Sequence, residues 1–157
     1  ADYLIVDTPG QIELFAYRQS GPFFVNEFIA EEKMNLFLFD GTMVSTPENF
    51  VSLTLLSTSI RLRLGLPTVN VITKTDLIQE KLEKVLRWSG TDSQLEADLA
   101  GEVNGDTFSL ISDMLSSLNR HDFQQDLIPV SNATGDGMVN LQSALSRTIN
   151  LGEEIED

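Results

Sequence analysis

The sequence predicts an α/β fold: a parallel sheet with helices on both faces and a helical insertion before the last strand. Three observations predict it. Four short apolar runs, Tyr3–Val6, Asn35–Phe39, Thr68–Ile72 and Leu127–Val130, are separated by helix-length segments. Runs of this length, rich in Val, Ile and Phe, read as strands joined by helical crossovers. Three of them stop at polar, turn-forming clusters: Asp7–Glu13, Thr73–Asp76 and Ser131–Met138. Between the third and fourth runs the pattern is helical throughout, longer than one crossover needs, which predicts an insertion over residues 78–126 within a single domain spanning 1–157.

Each element has its own signal. Tyr3–Val6 reads as the first strand. Pro22 suits the first turn of a helix running to about Lys33, with Phe23, Phe24, Phe28 and Ile29 as its apolar stripe. Asn35–Phe39 is the second strand, ending at Asp40-Gly41. Ser45-Thr46-Pro47-Glu48 opens a helix with a hydroxyl cap, a first-turn Pro and an early Glu. Gly65 stops that helix after about Leu64, and Pro67 opens the third strand, Thr68–Ile72. Gln79–Trp88, Gln94–Leu99 and Thr107–Leu118 read as three helices, divided by Ser89–Ser93 and Gly101–Asp106. Leu127–Val130 is the fourth strand, and Val139–Ile149 the final helix.

Composition narrows the chemistry. The 157 residues include no cysteine and one histidine, His121. Disulfides, zinc-thiolate sites and thiol catalysis are excluded, and a His cluster or Ser-His-Asp triad is not supported. The net charge is −14. That charge argues against direct binding to nucleic acid or to an anionic membrane. No apolar run is long enough for a membrane span and no signal segment is visible, so the expected compartment is the cytoplasm. The acid in Asp92–Asp126 and Glu153–Asp157 suits solubility, a basic protein partner or high salt; composition leaves these open.

The three polar clusters carry the functional reading. Asp7-Thr8-Pro9-Gly10 has the D-x-x-G spacing of P-loop GTPases. An Asp at a strand's carboxyl end can hold magnesium, usually through water, and Gly10 lets a backbone N–H approach a γ-phosphate. Gln11, directly after the Gly, is placed to orient an attacking water. Thr73-Lys74-Thr75-Asp76 matches the [NT]-K-x-D pattern for guanine. The Asp76 carboxylate can accept from both N1–H and the 2-amino group, a donor pair adenine lacks. The Lys74 stem can lie along the base. Ser131-Asn132 follows the last strand, where GTPases place a Ser-Ala pair whose backbone N–H meets guanine O6. Each cluster is weak alone; three in order, each at a strand's carboxyl end where open α/β sheets bind ligands, are jointly specific.

The stretch DTPGQIELF with YRQSGPFF, the TKTD motif and the PVSNATGDGM segment together resemble the GPN-loop GTPases, a P-loop NTPase group, over nearly the whole chain. The resemblance implies a parallel sheet of P-loop NTPase type, binding of GTP and GDP, slow magnesium-dependent hydrolysis and a homodimer. It assigns Asp7 to the magnesium-linked position and Gln11 and Glu13 to positioning or activating water. Gly10 would face phosphate; Thr73, Lys74 and Asp76 would read guanine, with Ser131 and Asn132 beside the base. The G-x-x-x-x-G-K-[ST] loop does not occur in these residues, nor does the family's Gly-Pro-Asn loop. The expectation is therefore the later portion of a longer GTPase, inactive without the missing loop. Two alternatives stand beside it: a non-hydrolysing nucleotide-fold module for protein assembly or dimerisation, and an ATPase of the related dimeric P-loop class.

Overall fold

Parallel pairing of three strands organises the structure, a computed structural model that describes residues 3–90, 94–120 and 127–153. The elements run α1 (Ile12–Tyr17), α2 (Ser20–Glu27), β1 (Asn35–Asp40), α3 (Pro47–Leu64), β2 (Thr68–Thr73), a 3-10 turn (Thr75–Leu77), α4 (Gln79–Ser89), α5 (Leu95–Leu99), α6 (Gly105–Arg120), β3 (Leu127–Pro129) and α7 (Met138–Glu153). The sheet order is β1-β2-β3. Asn35 pairs with Thr68 and Asp40 with Thr73, while Asn70 pairs with Leu127. All three strands therefore point the same way and end together.

Alternation along the strands sends side chains to two faces. Phe37, Phe39, Ile72 and Leu127 enter the larger apolar core, together with Phe50, Val51, Ile60 and Leu64 of α3. Val69 and Val71 enter the smaller one, with Leu36 and Ile128, beneath Leu141, Ala144 and Leu145 of α7. Helices thus cover both faces, as the sequence predicts. The α3 stripe falls at Phe50, Thr54, Ser57, Ile60 and Leu64, the helical spacing. Inside it, the Ser57 hydroxyl donates to Asn70 Oδ1 at 2.7 Å, so the one polar side chain central to β2 has a partner. The predicted caps hold: Thr46 Oγ1 accepts from the Asn49 N–H at 3.3 Å, and Gly65 adopts φ 67°.

The predicted insertion is helical where it is described, as α4, α5 and α6. Val85, Trp88, Leu95, Leu99 and Leu115 from these helices lie in the same core as the strand and α3 residues. His121, the segment 91–93 and the acid at 121–126 and 154–157 fall outside the described residues.

Two expectations fail. Tyr3–Val6 is not a strand; it is irregular, with Ile5 87% exposed. A strand exists through its ladder, and these residues pair with none of the described strands; β1 bonds only to β2. The predicted helix from Pro22 to about Lys33 is shorter: α2 ends at Glu27, Phe28 turns extended, and the Lys33 ammonium reaches back to donate to the Val25 carbonyl at 2.8 Å; α1, ahead of it, was not expected from the sequence. Pro22 does sit in the first turn of α2. Beside it, any Cβ on Gly21 would collide with the Phe15 carbonyl, so the two helices meet closely there. Ile29, placed in the apolar stripe by the sequence, lies beyond α2 and is exposed.

Candidate functional site

The carboxyl ends of the three strands bring the predicted base-reading residues together. The chain leaves β2 at Thr73, whose hydroxyl donates to the Phe39 carbonyl at 3.2 Å. Lys74 then takes φ 56°, the only positive φ at a non-glycine among the described residues. Such a conformation costs on the order of 1 kcal/mol and is concentrated at functional sites. It turns the backbone into the 3-10 turn, which buried Thr75 anchors by donating its N–H to the Val130 carbonyl at 3.3 Å.

Asp76 lies in that turn, half-buried, and accepts from the Ser131 hydroxyl at 2.6 Å. Ser131 follows β3 and is only 1% exposed. The bond restrains the carboxylate from one side, and a carboxylate has further lone pairs that can accept other donors. Loop 131–137 is itself wired. The Ser131 N–H donates to the Asp136 carbonyl at 3.0 Å, and the Gly135 N–H to the Ser131 carbonyl at 2.9 Å. Gly137 has φ 80°, and an added Cβ would collide with the Pro129 carbonyl. Thr75, Asp76, Gln79, Pro129, Asp136 and Asn140 line a shallow cleft of about 230 Å³ beside this turn.

Lys74 points the other way, toward β1. Its Nζ donates to Asp40 Oδ2 at 2.6 Å. Asp40 Oδ1 accepts from the Thr42 N–H at 2.9 Å and from the Thr42 hydroxyl at 2.7 Å. These donors, the Lys74 ammonium first and the Thr42 hydroxyl next, hold the Asp40 carboxyl down to about 2.

Of the predicted site residues, the structure gathers Thr73, Lys74, Asp76 and Ser131 at one sheet end and places Asn132 exposed in the adjoining loop. Ser131 departs from expectation in its use: its N–H is taken by Asp136, and its hydroxyl serves Asp76. Asp7 and Gly10 lie exposed on the irregular segment before α1, and Gln11 stands at the α1 N-cap. Among the described residues no hydrogen bond or ion pair joins Asp7, Gly10 or Gln11 to the base-reading cluster. Glu13 is in α1, and its side chain lies outside what is described. Asp40 was not singled out from sequence. Its signal was available: an acid at a strand's carboxyl end, in register with Thr73.

A family model described as "Conserved hypothetical ATP binding protein" matches residues 1–151. GPN-loop GTPase 1 of Saccharomyces cerevisiae is 28% identical over 155 residues, covering 92% of this chain and 40% of the relative. GPN-loop GTPase QQT2 of Arabidopsis thaliana is 31% identical over 140 residues, covering 87% and 36%. The chain belongs to the GPN-loop GTPase family. It is also 27% identical to GPN-loop GTPase 3 of Eremothecium gossypii over 160 residues, covering 99% of this chain and 59% of the relative. The crystal structure of a GTPase in apo form from Pyrococcus abyssi superposes with a TM-score of 0.75 at 21% identity, over 90% of this chain and 56% of that one. It shows the shared fold, consistent with a P-loop NTPase-type sheet. The chain spans between about a third and three fifths of the length of these relatives.

Magnesium was expected with the nucleotide. Among the described residues no three His, Asp or Glu side chains group to hold a metal ion. Magnesium is ordinarily held by one or two carboxylates together with water and substrate phosphates, so a three-carboxylate cluster is not what it requires.

Proposed function

We propose that this chain is the base-recognising portion of a protein that binds GTP with magnesium and hydrolyses it to GDP and phosphate. One observation carries the reading: Asp76, on a turn at the carboxyl end of β2, is oriented by the Ser131 hydroxyl arriving from the end of β3. A carboxylate held in one plane suits the parallel N1–H and 2-amino donors of guanine, and nothing on adenine rewards it. Lys74 supplies an aliphatic stem for the base plane, and the backbone at Ser131 and Asn132 borders the base. Asp7, Gly10, Gln11 and Glu13 are proposed for the phosphate end, as magnesium link, γ-phosphate contact and water-positioning groups. In this reading magnesium arrives with the nucleotide phosphates, which with water supply most of its ligands.

The proposal extends to a homodimer, to further protein partners and to the cytoplasm as compartment. No described helix is long and apolar enough to cross a membrane. The family description names ATP, whereas the Thr73–Asp76 chemistry favours GTP. The direct test is calorimetry with GTP and ATP on the longest natural protein that contains this chain, wild type and Asp76→Ala. The reading requires that the preference for GTP disappear in the variant; an unchanged preference refutes it.

A second reading, a non-hydrolysing module for protein assembly, draws on the exposed, irregular placement of Asp7–Gly10. It is favoured if GDP binds but GTP is never turned over.

A further inference from the structure

We propose that Asp40 is a positioning residue for nucleobase recognition: it pins the Lys74 ammonium on the β1 side of the strand ends, so that the Lys74 stem is set in place before a base arrives. The inference rests on the guanine reading above and adds a residue to it.

The two arms of the recognition turn diverge. Asp76 is tied to Ser131 on the β3 side, and Lys74 to Asp40 on the β1 side, each by a 2.6 Å hydrogen bond. The base-plane residue and the base-edge residue are thus held by opposite neighbours of β2. An ion pair between exposed side chains is ordinarily worth little, because two mobile side chains must be ordered to make it. Here one partner is already ordered. Both Thr42 donors fix Asp40 Oδ1, which aims Oδ2 at Lys74. The strands beneath are stitched as well: the Gly41 N–H donates to the Thr73 carbonyl at 3.0 Å, and a Cβ on Gly41 would stand 2.5 Å from that oxygen. The distance between Asp40 and Lys74 is therefore set by backbone packing. The strained Lys74 backbone, φ 56°, belongs to the same arrangement.

Pre-ordering one long side chain is worth about three- to tenfold in affinity. The test measures GDP affinity by calorimetry on the longest natural protein containing this chain, in wild type, Asp40→Asn, Lys74→Met and the double variant. Asn keeps the shape and an acceptor for Thr42 but loses the charge that holds Lys74; Met keeps a long apolar stem and removes the ammonium. Asp40→Asn is expected to weaken GDP about three- to tenfold, and to have no further effect in the Lys74→Met background. An effect of the same size in both backgrounds, or none in either, overturns the proposal while leaving the guanine reading intact. Equal affinity for GDP and ADP in wild type, or none for either, overturns both. Should Asp40→Asn not fold, Thr42→Val removes one of the two donors that orient the carboxylate. It is expected to weaken GDP in the same direction, again only where Lys74 is present, and the same effect in the Lys74→Met background overturns the proposal.

Discussion

Replacing Ser131 with Ala removes one hydroxyl, and the structure states what that hydroxyl does. It is buried, and it donates to Asp76 Oδ1 at 2.6 Å. A hydrogen bond to a charged acceptor contributes about 1.5–3 kcal/mol. Asp76 is half-buried, so water recovers part of the loss, and a cost of about 1–2 kcal/mol follows from that range. The Thr134 N–H also loses its 3.3 Å acceptor, but Thr134 is exposed and water replaces it at little cost. For a chain of this size each kcal/mol moves Tm by about 2–4 °C, so the Ser131→Ala chain should melt about 2–8 °C lower. Trp88, the single tryptophan, is buried and reports the transition by fluorescence. In the longest natural protein that contains this chain the carboxylate of Asp76 becomes free to rotate, and GDP affinity should fall about tenfold, equivalent to 1.4 kcal/mol. A Tm shift below about 1 °C together with unchanged GDP affinity would refute the claim that Ser131 orients Asp76.

Other consequences follow from the same geometry. Gly137→Ala forces a Cβ into the Pro129 carbonyl at a positive φ and should cost about 3 kcal/mol or more, read as a large drop in Tm; a shift under about 2 °C would show that the loop yields easily. Asp40 sits at about 2 in the folded chain against an ordinary 3.8. A depressed carboxyl stabilises the fold above its unfolded value and loses that contribution as pH falls through the folded one. The stability difference between wild type and Asp40→Asn should therefore be constant above about pH 5 and close between about pH 4 and 2; a difference independent of pH would contradict the ion pair. Trp88→Ala empties the core beside Phe50 and should cost about 3–5 kcal/mol in denaturant unfolding. Trp88→Phe keeps most of that packing but loses the indole donor to Asp98 at 2.8 Å, and should cost distinctly less. Equal costs would mean the hydrogen bond, not the packing, dominates there.

Much of the fold was legible because its signals are local. Thr46-Pro47-Glu48 and Gly65 bracket α3 where the sequence places it, and the β1 and β2 strands follow from short apolar runs ending in polar turns. The position of Thr73–Asp76 at a strand end was legible because a polar cluster directly follows an apolar run. Tyr3–Val6 was misread because a strand's identity depends on a partner, which apolar character does not supply. The end of α2 at Glu27 rather than near Lys33 was not legible, because it goes with the return of the Lys33 side chain to the Val25 and Asn26 carbonyls. The hydroxyl of Ser131 and the carboxylate of Asp40 could not be matched to Asp76 and Lys74 from spacing, since each pair is separated by a whole crossover and meets only through parallel register.

The most direct measurement is the affinity of GDP and ADP, with magnesium, for this chain and for the longest natural protein that contains it. The account predicts tight GDP binding and at least about a hundredfold weaker ADP binding in the longest natural protein that contains this chain, the margin left when a site's hydrogen-bonding groups go unpaired; any such protein that extends beyond these residues should bind GDP more tightly than the chain alone. Comparable affinities for GDP and ADP would contradict it, and would return the Thr73–Asp76 turn to a purely structural role.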